Sequence, residues 1–108
     1  MSAFVLLTKL NPGVVADRET FAGLEHAVMA QVHSECRGVE WIASFAVLGP
    51  YDYLDLFEAP DVETATKVAL IVRLYGHAET EVWPATEWRR FKEIVHELPP
   101  FGPALPPP

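Results

Sequence analysis

The stretch Gly49–Pro60, "GPYDYLDLFEAP", decides how the chain is read. It opens as a turn: glycine supplies backbone freedom, Pro50 fixes φ, and Asp52 can bond neighbouring amides. It continues as a strand, Tyr51 to Glu58, and gives way at Pro60-Asp61 to a helix with Asp61 as its cap. Three carboxylates run through it. Asp52 shapes the turn and Glu58 leads toward the helix, but Asp55 sits in mid-strand, between Leu54 and Leu56.

Working outward, Val39 to Leu48, "VEWIASFAVL", is the strand that enters this turn. Before it, Ala3 to Leu10 is a β-rich run closed by the turn signal Asn11-Pro12-Gly13. A helix then starts from a cap at Asp17 and carries Phe21, Leu24, Val28 and Val32 on one face before ending near Cys36-Arg37-Gly38. After Pro60-Asp61, Val62, Ala65, Ala69 and Val72 form the inner stripe of a second helix, and Gly76 stops it. His77 to Trp83 is a fourth strand bounded by Pro84. Thr86 to Leu98 is a last helix, with Trp88, Phe91, Val95 and Leu98 on one face. Residues 99–108 hold six of the ten prolines and are expected to be an extended tail.

The order β-α-β-β-α-β plus a helix is the ferredoxin-like split βαβ pattern, an α+β sandwich over residues 1–98. Both main helices then cover one face of the sheet. The strands are apolar on both sides all the same: Phe4 and Leu6 oppose Val5 and Leu7, and Trp41, Phe45 and Val47 oppose Ile42, Ala46 and Leu48. A bare apolar patch of about 500 Å² is unusual on a soluble monomer. Burying it is worth on the order of 12 kcal/mol gross. The expectation is a homodimer pairing sheet to sheet, as an α/β barrel.

Composition narrows the partners. The chain has 108 residues and a formal net charge of −7, with no Lys/Arg cluster, which disfavours nucleic acid and anionic membrane surfaces. The single cysteine excludes an internal disulfide framework and suits a reducing compartment. No signal peptide or membrane span is read in the sequence, so the expected location is the cytoplasm.

The segments "LGPYDYLDLFEAPD" and "GHAETEVWPATEW" resemble the GYD domain family, named for Gly-x-Tyr-Asp, here Gly49, Tyr51 and Asp52. The resemblance runs over roughly residues 3 to 95 and implies a fold similar to dimeric α/β barrels. It implies no particular activity. The extended "WPATEW" segment and the proline tail depart from the family pattern.

Topology brings Lys9, Tyr51, Asp52 and His77 to one end of the sheet. With Tyr53 and Asp55 they are the candidate ligand-binding residues. His77 with Asp55 or Asp52 would make an acid–base pair, and Tyr51 a donor to a ligand oxygen. For Gly49 to Asp52 the plain alternative is turn chemistry. For Asp55 it is an ion pair across the dimer seam or a partly wet cavity between sheets. On the first helix, His26, Met29, His33 and Cys36 fall within roughly an 80° arc, donor types that suit copper or zinc. They span about 15 Å along the axis, so one ion cannot touch all four, and packing is the plain reading of Met29 and Cys36. Trp83, Trp88 and Phe91 are read as core or as the lining of an aromatic pocket. No phosphate loop, serine elbow or paired-cysteine motif is present. The leading expectation is therefore a homodimeric small-molecule-binding or accessory protein without a bound organic cofactor. A cofactor-independent isomerase or oxygenase, and a copper or zinc protein, are the alternatives.

Overall fold

A computed structural model describes residues 1–15 and 17–100. The order is β1 (Ser2–Leu10), α1 (Pro12–Val15), α2 (Arg18–Glu35), β2 (Glu40–Ala46), β3 (Tyr53–Ala59), α3 (Val62–Gly76), β4 (Ala78–Ala85) and α4 (Trp88–Glu97). The strands form one antiparallel sheet in the order β2-β3-β1-β4, the ferredoxin-like arrangement expected from the sequence. The predicted turn at Pro12-Gly13 is instead the start of the short α1. Residues 101–108 of the predicted tail lie outside the described residues. No helix among the described residues is long and apolar enough to cross a membrane.

Both predicted caps form. The Asp17 side chain accepts from the Glu19 amide and the Thr20 hydroxyl, and Asp61 accepts from the Thr64 amide at 2.7 Å. These bonds satisfy amides that the first helical turn leaves unpaired, and they hold both carboxyls below the usual aspartate range. Asp61→Ala is expected to lower the thermal midpoint by roughly 4–8 °C at neutral pH, read by circular dichroism. The loss should shrink as the pH falls through the depressed Asp61 value, because the protonated cap is the weaker acceptor.

The core lies between the two long helices and one sheet face. Phe57 is fully buried and stacks between Phe4, at 5.6 Å, and Trp41, at 5.3 Å. Around it pack Leu6, Ala59, Val28, Val32 and Cys36, with Ala65, Val68, Ala69 and Val72 of α3. Val62, expected on that stripe, is exposed. Arg73 ties α3 to β4 by donating to the Thr80 hydroxyl at 2.8 Å and to its carbonyl at 2.7 Å. The edge strand β4 runs through Pro84 rather than stopping before it, which an edge position tolerates.

Two features position the site. First, α3 lies on β1, β3 and β4, whereas α2 packs along α3 and stands off the strands. Second, β2 carries a bulge between Trp41 and Ala43. The extra residue shifts the alternation, so Trp41, Ser44 and Ala46 share the helix face with Phe57, Asp55 and Tyr53. Trp41 and Phe45, expected on one face, are therefore on opposite faces.

On the other face lie Val5, Leu7, Phe45, Leu54, Leu56 and Trp83, and no helix among the described residues packs closely on it. Nor does α4 seal its own chain: Trp88, Phe91, Val95 and Leu98 are all exposed, although Trp88 and Phe91 stack on each other at 5.2 Å. Trp83 is half exposed, so none of these three aromatics joins the core. Arg90, on the polar side of α4, pairs with Glu93 and Glu97.

Candidate functional site

Because α2 stands off the sheet, a cavity of about 500 Å³ opens beneath it. Phe21, Leu24, Val28 and Met29 of α2 form one wall, Trp41, Ser44 and Ala46 of β2 with Tyr53 and Asp55 of β3 form the floor, and Leu10, Asp52 and Gly76 close one end. Arg18 and Glu25, both exposed, line it toward solvent. Mostly apolar walls with a few convergent polar groups are what a small-molecule site requires.

Asp55 is 4% exposed and faces the helices, not the bare face on which a second chain could pair. Both plain alternatives, an ion pair across a dimer seam and a wet cavity between sheets, put Asp55 toward a second sheet; it lies instead in a cavity between α2 and its own sheet. Ser44, directly across from it in β2, donates its hydroxyl to Asp55 Oδ1, and Trp41 Nε1 donates to Ser44 Oγ at 3.0 Å. Asp55 Oδ2 meets no donor at hydrogen-bonding geometry among the described residues. Burial pushes the Asp55 carboxyl above the usual aspartate range; Ser44 and Trp41 pull it partly back, and the Glu25 carboxylate pushes it further up.

Tyr53, two residues earlier on the same face, has its phenol raised, chiefly by burial. Thr8 lies opposite it in β1 and offsets part of that rise, but the fully buried Thr8 hydroxyl reaches no partner at hydrogen-bonding geometry.

Asp52 acts as a clip. Its carboxylate accepts the Leu10 amide at 2.6 Å, its amide donates to the Thr8 carbonyl at 2.9 Å, and its carbonyl accepts the Val47 amide at 3.0 Å. One residue thus joins the end of β1 to the β2–β3 hairpin. The other candidates at this end do not line the cavity. Lys9 falls on the opposite face by strand alternation, in register with Glu79, and it is exposed. His77 is exposed at the C-cap of α3, in the left-handed region with φ 49°. Tyr51 is half-buried in the turn. Of the six candidates, the cavity brings together Asp52, Tyr53 and Asp55.

A profile of the GYD domain matches residues 4–95. The chain belongs to the GYD domain family. Among curated proteins none matches it. Two solved structures share the fold. TTHA0845 from Thermus thermophilus is 26% identical with a TM-score of 0.54, over 81% of this chain and 95% of that one. The leucine response regulatory protein LrpA of Mycobacterium tuberculosis is 14% identical with a TM-score of 0.54, over 80% of this chain. This chain spans about half, 51%, of LrpA, and that likeness concerns the fold alone. Within this GYD domain the Gly-x-Tyr-Asp signature has a physical role in Asp52, which clips the hairpin that carries Ser44 and Asp55.

The helix flank does not assemble into one site. His26 and His33 are exposed, Met29 lines the cavity, and Cys36 is 3% exposed within the core, its thiol pushed up by burial. Among the described residues no three His, Cys, Asp or Glu side chains come together as a metal site. Sequence reasoning missed Ser44 and Trp41 as partners of Asp55. A lone serine inside the apolar run "WIASFAV" was the available signal, but the bulge hid which strand face it takes.

Proposed function

We propose that this GYD domain protein is a cytoplasmic homodimer that binds a neutral, largely apolar cyclic molecule between α2 and the sheet. The observation that carries the reading is Asp55, a buried carboxylate on the cavity floor with one oxygen held by Ser44 and the other unpartnered among the described residues. That second oxygen is not sealed off, so a bound molecule can approach it from the cavity in place of water. Charge disfavours an anion, since Asp52, Asp55 and Glu25 line the cavity against one cation, Arg18, and the mostly apolar walls favour an uncharged molecule. The aromatic side chains of Phe21, Trp41 and Tyr53 suit a flat ring.

Dimerisation is supported by the bare apolar sheet face. With Phe45 and Trp83 half exposed on it, and α4 presenting a second uncovered stripe, the described residues leave more apolar surface than they cover. No observation among the described residues favours the copper or zinc reading.

Native mass spectrometry of freshly purified protein tests both parts, with the neutral fluorophore N-phenyl-1-naphthylamine as a probe. A dimer mass is expected, together with probe binding. Leu24→Trp, which fills the cavity from α2, should weaken the probe at least about tenfold while the dimer persists. A monomer at micromolar concentration overturns the dimer. Equal probe affinity in the two proteins overturns the cavity as the binding site.

A further inference from the structure

We propose that the cavity catalyses proton transfer at the carbon beside the carbonyl of a neutral cyclic ketone, with Asp55 carrying the proton and Tyr53 holding the oxygen. The proposal rests on the binding reading above and adds a reaction to it.

The geometry separates the two oxygens of one carboxylate. Oδ1 is fixed by Ser44, which is itself fixed by the indole N–H of Trp41, and Trp41 is stacked on the buried Phe57. A carboxylate anchored in this way presents Oδ2 in a set direction without spending a donor on it. Tyr53 sits one strand repeat away on the same face, about 7 Å from Asp55 along the strand, and also lines the cavity. That separation suits a ketone whose α-carbon lies over Asp55 and whose oxygen reaches toward the phenol. Burial keeps the phenol protonated, so it can donate. A base and a neutral donor fixed on one rigid strand are better preorganised than the same groups on loops.

The step balances without an added reagent. Asp55 Oδ2 takes a proton from the α-carbon. The C–H electron pair becomes the new C=C bond, and the carbonyl π pair moves onto oxygen, where the Tyr53 hydroxyl donates to the enolate. Asp55, now a carboxylic acid, returns its proton. Return to the same carbon gives hydrogen exchange. Where the ring carries a β,γ double bond, return at the γ-carbon gives the conjugated isomer. No bond is oxidised or reduced, and the raised pKa of Asp55 makes it a stronger base toward the carbon acid than an ordinary aspartate.

The test is exchange of the α-protons of 2-tetralone in D₂O at neutral pD, followed by proton NMR, with binding of the same ketone followed by tryptophan fluorescence. The full chain should accelerate exchange in proportion to its concentration. Asp55→Asn should lose the protein-dependent rate by roughly 100-fold or more, and Tyr53→Phe by about 10- to 1,000-fold, with ketone binding retained in both. Ser44→Ala, which frees the carboxylate, should lower the maximal rate more than the apparent affinity. Binding without exchange in the unmodified protein overturns the reaction and leaves the binding reading in place. Equal exchange in Asp55→Asn also overturns it. Failure of both 2-tetralone and N-phenyl-1-naphthylamine to bind overturns both readings together.

Discussion

Phe57→Ala is expected to cost about 3–5 kcal/mol of folding stability. Domains of this kind have only about 5–15 kcal/mol in total, so the variant should be partly unfolded at 37 °C. Phe57 is fully buried on the central strand β3, with Phe4 on one side and Trp41 on the other. Removing the ring deletes its own burial and leaves a void that a β-strand floor cannot collapse to fill. Urea denaturation followed by circular dichroism should show a lower midpoint with an unchanged slope. An unchanged midpoint would show that the ring is not the centre of the core. The milder Phe57→Leu links packing to function. Trp41 loses its stacking partner there but keeps its bond to Ser44, so the cavity floor loosens while the fold survives. Probe affinity should fall by a larger factor than stability alone explains.

How far the sequence discloses this site depends on what fixes each residue. Asp17 and Asp61 were readable because their partners are near in the chain, where short polar side chains have a local task, whereas Asp52, expected to bond amides of its own turn, takes the Leu10 amide from a strand distant in sequence. The central position of β3, and the one face shared by Tyr53, Asp55 and Phe57, follow from period-two alternation and the split βαβ order, but alternation does not say that this face meets the helices. Ser44 was not readable, since one inserted residue at the β2 bulge reverses the alternation and nothing in "WIASF" marks where it falls. The cavity itself was not readable either. It exists because α2 rests on α3 rather than on the strands, a matter of side-chain volumes such as the Val28 approach to Gly76, where an added Cβ would sit 3.3 Å from Val28 Cγ2. Lys9 and His77 show the complementary error. Topology places them at the right end of the sheet, but strand parity and a left-handed cap turn them away from the cavity.

Asp55→Asn is expected to stabilise the protein at neutral pH, with the gain vanishing in acid. The sign follows from the raised carboxyl. Its value in the folded chain lies above that in the unfolded chain, so between the two the folded state binds more protons. Stability of the unmodified protein therefore falls as pH rises from the ordinary aspartate value, about 4, through the raised one, and then levels off. Asparagine is neutral throughout and can still accept from Ser44, so it escapes this loss. A higher thermal midpoint at pH 7, and an equal one near pH 3, is the expected result. Asp17, Asp61 and Glu97 have lowered values and lose stability toward acid instead, but they are common to both proteins and cancel in the difference. A variant less stable at pH 7 would mean that the Asp55 charge supports the fold. A variant more stable, and inactive in ketone exchange, would mean the reverse: a carboxylate that the core tolerates at a cost to folding is retained because the cavity needs its charge.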